Sequence, residues 1–460
     1  MEKRIIDALK QIVGAENVLT ETEDLLCYSY DATPGFAGMP HAVVRPANTQ
    51  EVAKIVTLCN ETITPVYTRG AGTNLSAGTT PMKGGIVLLM TKMNKIVEVD
   101  ADNLTAIVEP GVVVLDLNKA VEPYGLIYPP DPGTVYTATM GGTISENAGG
   151  LRGLKYGVTK HYVMGLEVVM PNGNICNFGG KNVKDVAGYD MTKLYTGAEG
   201  TLGIITKAIV KLVPAPEARK SMMAIYSNLD NAGKAIADII RNKIIPATLE
   251  IMDNATIRTV EDYAKIGLPI DAEAVLLIEV DGIAEVVEKD AVKVIDVLNA
   301  SGADKVQVAQ TAQERDRIWA ARRAALPALA KLRPTTFVED ATVPRSKVPD
   351  MIRAVNNIAK KYNVTIGTFG HAGDGNMHPT IVCDLRDAEE MERVYKAMDD
   401  LFQAALDLGG SISGEHGVGL GKLKYMETQF GKTGMEAMRA VKMALDPNNI
   451  MNPGKLVGEV

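Results

Sequence analysis

The stretch Arg69-Gly70-Ala71-Gly72-Thr73-Asn74 opens a series of glycine-rich segments that extends to residue 203. The later segments are Pro129-Pro130-Asp131-Pro132-Gly133, Met140-Gly141-Gly142-Thr143, Asn147-Ala148-Gly149-Gly150, Tyr156-Gly157 and Gly197-Ala198-Glu199-Gly200-Thr201-Leu202-Gly203. Glycine loops expose successive backbone N–H groups, which suit an anionic ligand such as a pyrophosphate. Because the third glycine of G-x-G-x-x-G is missing after Gly72, a Rossmann dinucleotide fold is not supported. One such loop could equally serve a tight turn, but the ordered set indicates a binding region.

Composition limits the function classes. The 460 residues suggest two or three domains, and 46% hydrophobic with 23% charged residues is normal for a soluble globular protein. The net charge of −8 argues against nucleic-acid binding, and no apolar run is long enough to span a bilayer. The N-terminus lacks the pattern of a secretory signal. The four cysteines are too scattered for a metal, iron–sulfur or disulfide framework, so we expect a cytoplasmic protein with reduced thiols.

The first half alternates helices with short apolar strands. A helix follows Asn48 or Thr49, either of which can serve as its N-cap, and its apolar face consists of Val52, Ile55, Val56 and Cys59. Strands are predicted at residues 65–68, 86–90, 96–99, 166–170, 174–178 and 204–213. The proline pair in Pro214-Ala215-Pro216 marks a domain boundary.

The second half repeats a strand–helix–strand order. Strands are predicted at residues 222–226, 247–252 and 274–280, and helices at 230–242, 284–300, 346–361 and 387–408. This order is typical of an antiparallel α+β domain of ferredoxin-like type. The segment from 425 to 460 begins as a helix and ends in Asn452-Pro453-Gly454-Lys455.

Three of the five histidines occur in two short motifs, Gly370-His371-Ala372-Gly373-Asp374-Gly375-Asn376-Met377-His378 and Gly414-Glu415-His416-Gly417. Two imidazoles and a carboxylate form a common catalytic metal shell that leaves positions open for substrate. A glycine-rich loop is a poor place for a packing histidine, so we interpret these motifs as a metal-assisted active site. His41 and His161 are interpreted as structural. Asp374 either orients a ligand imidazole or belongs to the turn.

The ordered glycine set resembles the FAD-binding domain of the vanillyl-alcohol oxidase/p-cresol methylhydroxylase (PCMH) superfamily, over about residues 40–215. With the histidine and Glu415 motifs, nearly the whole chain resembles the D-lactate dehydrogenase/glycolate oxidase FAD-subunit family. The members that work with an electron-transfer flavoprotein are the most similar. The resemblance implies an α+β fold: a two-lobed PCMH-type FAD-binding domain at 1–215, a ferredoxin-like cap domain with the metal site at 216–424, and a C-terminal segment at 425–460 that returns to the flavin site.

The resemblance also implies the cofactor site. The residues that it places around FAD are Arg69, Gly70, Ala71, Gly72, Thr73, Asn74, Pro130, Asp131, Pro132, Met140, Gly141, Gly142, Thr143, Asn147, Gly149, Gly150, Gly200, Gly203, Ile204, Ile205 and Asn452. Some relatives attach FAD covalently through His or Cys. No His lies in the loops at 69–150, and Cys176 lies on a predicted strand outside them, so we expect non-covalent FAD.

In the family, the positions matching His371, His378 and Glu415 bind a divalent metal, which is Fe, Zn or Mn according to the member. His416 matches the catalytic base. Arg322, in the Trp319-Ala320-Ala321-Arg322 motif, matches the residue that holds the substrate carboxylate, a bidentate geometry that Lys cannot copy. Some relatives acting on larger dicarboxylates carry a Lys before the aspartate that matches Asp340, and its absence here favours a small monocarboxylate.

These implications predict an FAD-dependent D-2-hydroxyacid dehydrogenase that oxidises D-lactate to pyruvate by hydride transfer to FAD. The alternatives are a glycolate or D-2-hydroxyglutarate dehydrogenase on the same scaffold, or a flavin electron-transfer subunit without a substrate site. The chain has no iron–sulfur spacing, nicotinamide fingerprint or membrane anchor. The expected electron acceptor is therefore a separate soluble protein. The family resemblance implies that this protein is an electron-transfer flavoprotein, with a quinone or an iron–sulfur subunit as the rival.

Overall fold

The structure, a computed structural model, describes residues 2–460. The chain divides into two compact units, each formed from separate stretches of sequence. Unit 1 contains the stretch ending at Gly149, Val158–Ala215 and Glu415–Val460. Unit 2 contains Gly150–Gly157 and Pro216–Gly414. One division follows Ala215, between the two prolines of Pro214-Ala215-Pro216, and Glu415 begins the last stretch of unit 1.

Unit 1 is built on two main sheets. The first is mixed, with the strand order Val18–Leu19, Ala42–Val44, Ile86–Leu89, Val66–Arg69, and its last two pairings are parallel. The second is antiparallel, with the order Ile96–Asp100, Thr105–Val108, Ile204–Lys211, Val163–Val169, Ile175–Gly179. A short pair joins Leu126–Ile127 to Val213–Pro214. The predicted strand at 204–213 therefore ends earlier, at Lys211, and Pro214 lies in a different sheet.

The helices of unit 1 follow from local sequence signals. The predicted cap is confirmed: the Asn48 side chain accepts a hydrogen bond of 3.0 Å from Glu51 N, and helix Thr49–Glu61 begins after it. Its apolar face is buried as expected. The α-helices of unit 1 are Lys3–Val13, Thr22–Leu26, Thr49–Glu61, Val114–Val121, Met140–Glu146, Met191–Tyr195 and Met426–Leu445.

The C-terminal segment of unit 1 completes the first sheet. Met451 forms a parallel bridge with Val66. Val66 N donates to Ile450 O, and Asn452 N donates to Val66 O, both at 2.8 Å. Ile450 and Met451 are buried in the same apolar cluster as the strands Ala42–Val44 and Ile86–Leu89. The last residues of the chain are thus part of the core of the predicted FAD-binding domain.

Unit 2 contains a large antiparallel sheet. Its strand order is Lys305–Val308, Ala218–Tyr226, Ala274–Gly282, Thr248–Asp253, Thr365–His371, Asn376–Cys383, Thr335–Val338, and Ala341–Thr342 also pairs with Asn376–Cys383. The α-helices of unit 2 are Gly153–Tyr156, Leu229–Arg241, Asn254–Ala264, Ala284–Ala300, Ala312–Ala330, Val348–Tyr362 and Ala388–Asp407. The expected antiparallel α+β architecture is present.

Alternation along these strands creates two apolar layers. Leu249 and Ile251 belong to the layer under the helices that include Leu229–Arg241 and Val348–Tyr362. Met252 and Phe369 belong to the opposite layer, under Asn254–Ala264 and Ala312–Ala330. Within residues 2–460, no helix combines the length and the hydropathy needed to cross a bilayer.

Candidate active site

Two of the predicted metal ligands lie on neighbouring strands of unit 2. His371 is the last residue of strand Thr365–His371, and His378 lies within Asn376–Cys383. The expectation that both histidines occupy a glycine-rich loop is wrong. Gly370 allows close pairing of the strands, because a Cβ there would lie 2.5 Å from Asn376 O. Only the residues between His371 and Asn376 form the turn, with Gly375 at φ +78°.

Strand register places several polar side chains on one face. Phe369 pairs with His378, and alternation puts His371 on the same face as Phe369. The next strand pairs Ile251 with Gly370. Continuing that register by one residue brings Glu250 opposite His371. All of these side chains lie in the layer that helix Ala312–Ala330 covers.

The two imidazoles are buried and held through their Nδ1 atoms. His371 Nδ1 lies 2.6 Å from Glu250 Oε1. His378 Nδ1 lies 3.4 Å from Glu339 O and 3.9 Å from Asp340 Oδ1. The two rings meet edge to face, with centroids 5.1 Å apart. Metal-binding histidines usually donate their other ring N–H to a carboxylate or carbonyl in this way, so the pair fits a metal bound through Nε2.

Arg322 lies beside the histidines. Helix Ala312–Ala330 carries it, and its Nε donates to Glu250 Oε2 at 2.6 Å. The guanidinium stacks on the ring of Phe369, 4.6 Å from the centroid. Residues 2–460 provide no hydrogen-bond acceptor for its two terminal NH2 groups, which suit the two oxygens of a carboxylate. The structure therefore brings Arg322, His371 and His378 together within unit 2.

Glu250 is the residue that sequence reasoning missed. Its carboxylate is fully buried and bridges His371 and Arg322. Burial alone would raise its pKa, but the charges of His371 and Arg322 and their hydrogen bonds bring the pKa below its ordinary value. The available signal was a charged residue within the apolar run Leu249-Glu250-Ile251-Met252, since a buried carboxylate needs partners.

Asp340 organises the end of unit 2. Its buried carboxylate accepts from Asn376 Nδ2 at 2.7 Å, from Ser413 Oγ at 2.7 Å and from Gly414 N at 2.8 Å. Gly414 immediately precedes Glu415 and His416 in the chain. The same carboxylate that lies near His378 therefore fixes the path of the backbone up to the second motif.

Glu415 and His416 belong to unit 1, where the backbone around them is held tightly. Ser76 Oγ donates to His416 O at 2.9 Å. Glu199 accepts from the backbone N–H of Val418 and of Gly419, both at 2.7 Å. A Cβ at Gly149 would lie 2.4 Å from Glu415 Oε2, so the predicted FAD-binding residue Gly149 directly faces the predicted ligand Glu415.

Several predicted FAD-binding segments meet in unit 1. A Cβ at Gly70 would lie 2.2 Å from Thr139 Oγ1, at the start of helix Met140–Glu146, and this close approach requires glycine. Gly197 N donates to Ile144 O at 2.9 Å, which joins the segment containing Gly200 and Gly203 to the same helix. The segments at 69–74, 140–149 and 197–205 are thus brought together, whereas the predicted residue Gly150 belongs to unit 2.

The C-terminal motif joins this group. Asn452 Nδ2 donates to Gly78 O at 2.9 Å and to Glu199 O at 2.6 Å. Lys455 Nζ donates to Gly78 O, Thr80 O and Asn452 Oδ1. Burial lowers the pKa of Lys455 to about 8, although the charge of Asp31 acts in the opposite direction.

The residues at these loops fit a bound FAD. The hydroxyls of Thr68 and Thr139 are buried without a hydrogen-bond partner in residues 2–460, and they flank the loop that contains Arg69 and Gly70. Unsatisfied buried hydroxyls next to exposed loop N–H groups suit phosphate oxygens. The predicted residues Pro130, Asp131 and Pro132 lie in an irregular segment just before a turn, and Pro132 O accepts from Val135 N.

Comparisons with known proteins identify the family. Residues 40–179 match the family model described as FAD binding domain, and residues 215–456 match FAD linked oxidases, C-terminal domain. The chain is 55% identical over 454 residues to the glycolate oxidase subunit GlcD of Bacillus subtilis, covering 99% of this chain and 97% of that protein. It is 39% identical over 441 residues to a D-lactate dehydrogenase of Archaeoglobus fulgidus, covering 94% and 95%.

Among solved structures, p-cresol methylhydroxylase with substrate bound superposes with a TM-score of 0.82. The superposition covers 99% of this chain and 96% of that chain at 20% identity, which shows that the fold is shared. The PCMH-type fold predicted from the glycine loops is therefore confirmed. The C-terminal oxidase model matches more than half of the chain and the FAD-binding model matches residues 40–179, so the chain belongs to the family of FAD-linked oxidases.

Proposed function

We propose that this protein oxidises a small 2-hydroxy acid at C2 and transfers the hydride to non-covalently bound FAD. The observation that carries the proposal is the buried group of Arg322, His371 and His378 on one face of the unit 2 sheet. A guanidinium with two NH2 groups available suits a substrate carboxylate, and two imidazoles held through Nδ1 suit a metal. Together they match the carboxylate and hydroxyl of a 2-hydroxy acid.

In this proposal, the residues divide the work. Arg322 binds the carboxylate and sets the orientation of C2. His371, His378 and Glu415, the ligand set implied by the family resemblance, would hold a divalent metal. Such a metal supplies Lewis acidity that lowers the pKa of a bound hydroxyl. His416 accepts the hydroxyl proton, because imidazole ordinarily titrates near neutral pH and is suited to general-base work.

The cofactor supplies the redox chemistry. Bound FAD would be the hydride acceptor, and the protein's part is to hold and orient it. The residues proposed to hold FAD are those of the converging segments at 69–74, 140–149 and 197–205, together with Gly150 and Asn452. Acid precipitation should leave the flavin in the supernatant, whereas flavin retained on the pellet would refute non-covalent binding.

D-lactate and glycolate are the two candidate substrates. D-lactate follows from the sequence resemblance, and glycolate is favoured by the 55% identity to a glycolate oxidase subunit. The test is anaerobic bleaching of the bound flavin by D-lactate, glycolate and L-lactate. Bleaching by D-lactate or glycolate, with none by L-lactate, supports the proposal. A flavin that none of these acids reduces would refute the substrate class and favour an electron-transfer subunit.

The metal is tested separately. Treatment with a chelator should abolish reduction of the flavin by the hydroxy acid while FAD stays bound, and Zn, Mn or Fe should restore it. Full activity in a metal-free preparation would rule out a catalytic metal.

We further propose that the reduced protein passes electrons to a separate protein in the cytoplasm. The sequence favours an electron-transfer flavoprotein, whereas the name "subunit" of the Bacillus subtilis relative supports a partner subunit. Transient redox contacts are usually small in area. Copurification from the native source, followed by stopped-flow mixing of the substrate-reduced protein with the copurifying partner, distinguishes the two. Rapid reoxidation by free quinone alone would overturn both.

A further inference from the structure

We propose that Glu250 is a positioning residue that links metal binding at His371 to carboxylate binding at Arg322. The inference rests on the proposed function and deepens it. Glu250 uses one oxygen for each partner: Oε1 lies 2.6 Å from His371 Nδ1 and Oε2 lies 2.6 Å from Arg322 Nε. The Glu250 side chain has no exposed surface, and those of His371 and Arg322 are 7% and 12% exposed.

The first consequence concerns the tautomer of His371. A carboxylate accepts, so the imidazole donates from Nδ1 and leaves Nε2 as the atom able to bind a metal. The same contact fixes the rotation of the ring. Partners of this kind, once removed, typically cost 10- to 100-fold in metal affinity.

The second consequence concerns the two terminal NH2 groups of Arg322, which form the fork that would bind a carboxylate. Nε is bound to Glu250, and Cζ lies over the Phe369 ring, 4.6 Å from its centroid, so the guanidinium is held at two points. The two NH2 groups therefore point as a pair, which is the geometry that a carboxylate requires. Without Glu250, the buried guanidinium would lose its compensating charge and its fixed orientation.

One carboxylate serving both partners makes the two binding events dependent on each other. Strand Thr248–Asp253 supplies a rigid backbone for it, since that strand is paired on both sides. A change that moves Glu250 must therefore alter the ligand His371 and the fork Arg322 together. A purely structural role predicts lower stability without this joint effect.

The test uses the full-length, FAD-loaded protein and the variant Glu250→Gln. An amide has one acceptor oxygen, so it can serve His371 or Arg322 but not both. The matched control is Glu279→Gln. Glu279 is a buried glutamate on the adjacent strand whose carboxylate accepts from Ser221 Oγ and Trp319 Nε1 instead.

Two measurements are made on each protein: chelator competition gives the dissociation constant for Zn²⁺, and steady-state kinetics give KM and kcat for D-lactate and glycolate. We expect Glu250→Gln to weaken Zn²⁺ binding 10- to 100-fold and to raise KM about tenfold, with FAD content unchanged. Glu279→Gln should change neither the Zn²⁺ dissociation constant nor KM by more than about threefold. If Glu250→Gln fails to fold, Glu250→Asp, which keeps both acceptor oxygens, should show the same joint weakening in smaller degree.

The outcomes separate the inference from the proposed function. In one outcome, the wild type binds Zn²⁺ and oxidises the 2-hydroxy acid, and Glu250→Gln equals Glu279→Gln in Zn²⁺ affinity and in KM. This outcome overturns the inference and leaves the proposed function intact. Loss of Zn²⁺ affinity without a rise in KM, or the reverse, also overturns the link. A wild-type protein that binds no Zn²⁺, Mn²⁺ or Fe²⁺ refutes the metal site and the inference with it.

Discussion

Buried charged groups at the loops of unit 1 and on the sheet face of unit 2 bond to different kinds of partner. In unit 1, the buried side chains of Arg69, Glu199 and Lys455 bond chiefly to backbone atoms: Arg69 donates to Tyr30 O, and Glu199 accepts from two loop N–H groups. In unit 2, the buried side chain of Glu250 bonds to other side chains. These three charges of unit 1 therefore fix the path of loops, whereas Glu250 in unit 2 orients functional groups.

This difference explains which kind of change each unit should tolerate. The proposed FAD site of unit 1 is formed by the glycine-rich loops at 69–74, 140–149 and 197–205, and we call it the cradle. It depends on the absence of side chains at a few glycines, so added volume should damage it. A site made of side chains depends on exact hydrogen-bonding partners, so a conservative exchange should damage it. The following predictions test that distinction.

The largest effect is expected at His416, where a residue of unit 1 is proposed to act through its side chain. Its backbone is anchored by Ser76 Oγ, so His416→Asn should leave the loop and FAD in place. Loss of a general base should slow reduction of the flavin by the hydroxy acid about 10²- to 10⁴-fold in stopped-flow measurements. His161→Asn, at a histidine whose Nδ1 accepts from Val158 N, is the control. Equal rates for the two variants would remove His416 from the chemistry.

A smaller effect is expected when Arg322 is changed to Lys. The variant keeps the positive charge but loses the fork and the Nε contact with Glu250. Steady-state kinetics should show KM raised about 10- to 100-fold, on the scale of 1.5–3 kcal/mol for hydrogen bonds to a charged group, with kcat changed less. A defect in kcat alone would contradict the assignment of Arg322 to carboxylate binding.

Gly70→Ala tests the cradle of unit 1. The new Cβ would lie 2.2 Å from Thr139 Oγ1, so the loop must shift. Overpacking of this kind costs about 1–3 kcal/mol, which corresponds to FAD binding weaker by about 5- to 150-fold in fluorescence titrations. Gly180→Ala is the matched control, because no atom lies within 4 Å of its added Cβ. If both variants bind FAD as tightly as the wild type, the close approach at Gly70 does not support the cofactor site.

The smallest effect concerns the pH dependence of stability. The folded-state pKa of Lys455 is about 8, below its ordinary value of 10.5. Below pH 8 the Lys455 side chain is protonated in both the folded and the unfolded protein, and burial of its charge is unfavourable to folding. Between about pH 8 and 10.5 the folded state loses the proton first, so the free energy of unfolding should rise, by at most about 1.4 kcal/mol per pH unit. The free energy of unfolding is measured by urea titration at several pH values for the wild type and for Lys455→Met. Its dependence on pH should differ between the two proteins only in this window. The same pH dependence for both would contradict the lowered pKa.

Local signals in the sequence predicted much of unit 1. The Asn48 cap and the apolar face that includes Val52 and Ile55 depend on neighbours within one helix, and the structure confirms them. The predicted strand at 204–213 was too long, because Pro214 pairs in another sheet. Strand ends depend on partners distant in sequence, which periodicity does not reveal.

The site in unit 2 was less accessible to sequence reasoning. The glycines around His371 indicated a loop, yet Gly370 serves the close pairing of two strands. Glu250 and Glu279 both interrupt apolar strands, so the sequence gives them the same signal. Their different roles follow from the side chains opposite them, His371 and Arg322 for the first and Trp319 for the second. That information resides in sheet order and register, which become known only from the structure.

The bridge between Met451 and Val66 has a consequence for synthesis on the ribosome. The sheet that contains Val66–Arg69 is completed by residues made after the whole of Pro216–Gly414. At 5–20 residues per second, translation of that stretch takes roughly 10–40 s. Throughout this interval the nascent first sheet lacks its final bridge, whereas every strand of the unit 2 sheet has already been made once Gly414 is added. Completion of unit 1, and with it the full set of proposed FAD-binding residues, is therefore a late event in the life of the nascent chain.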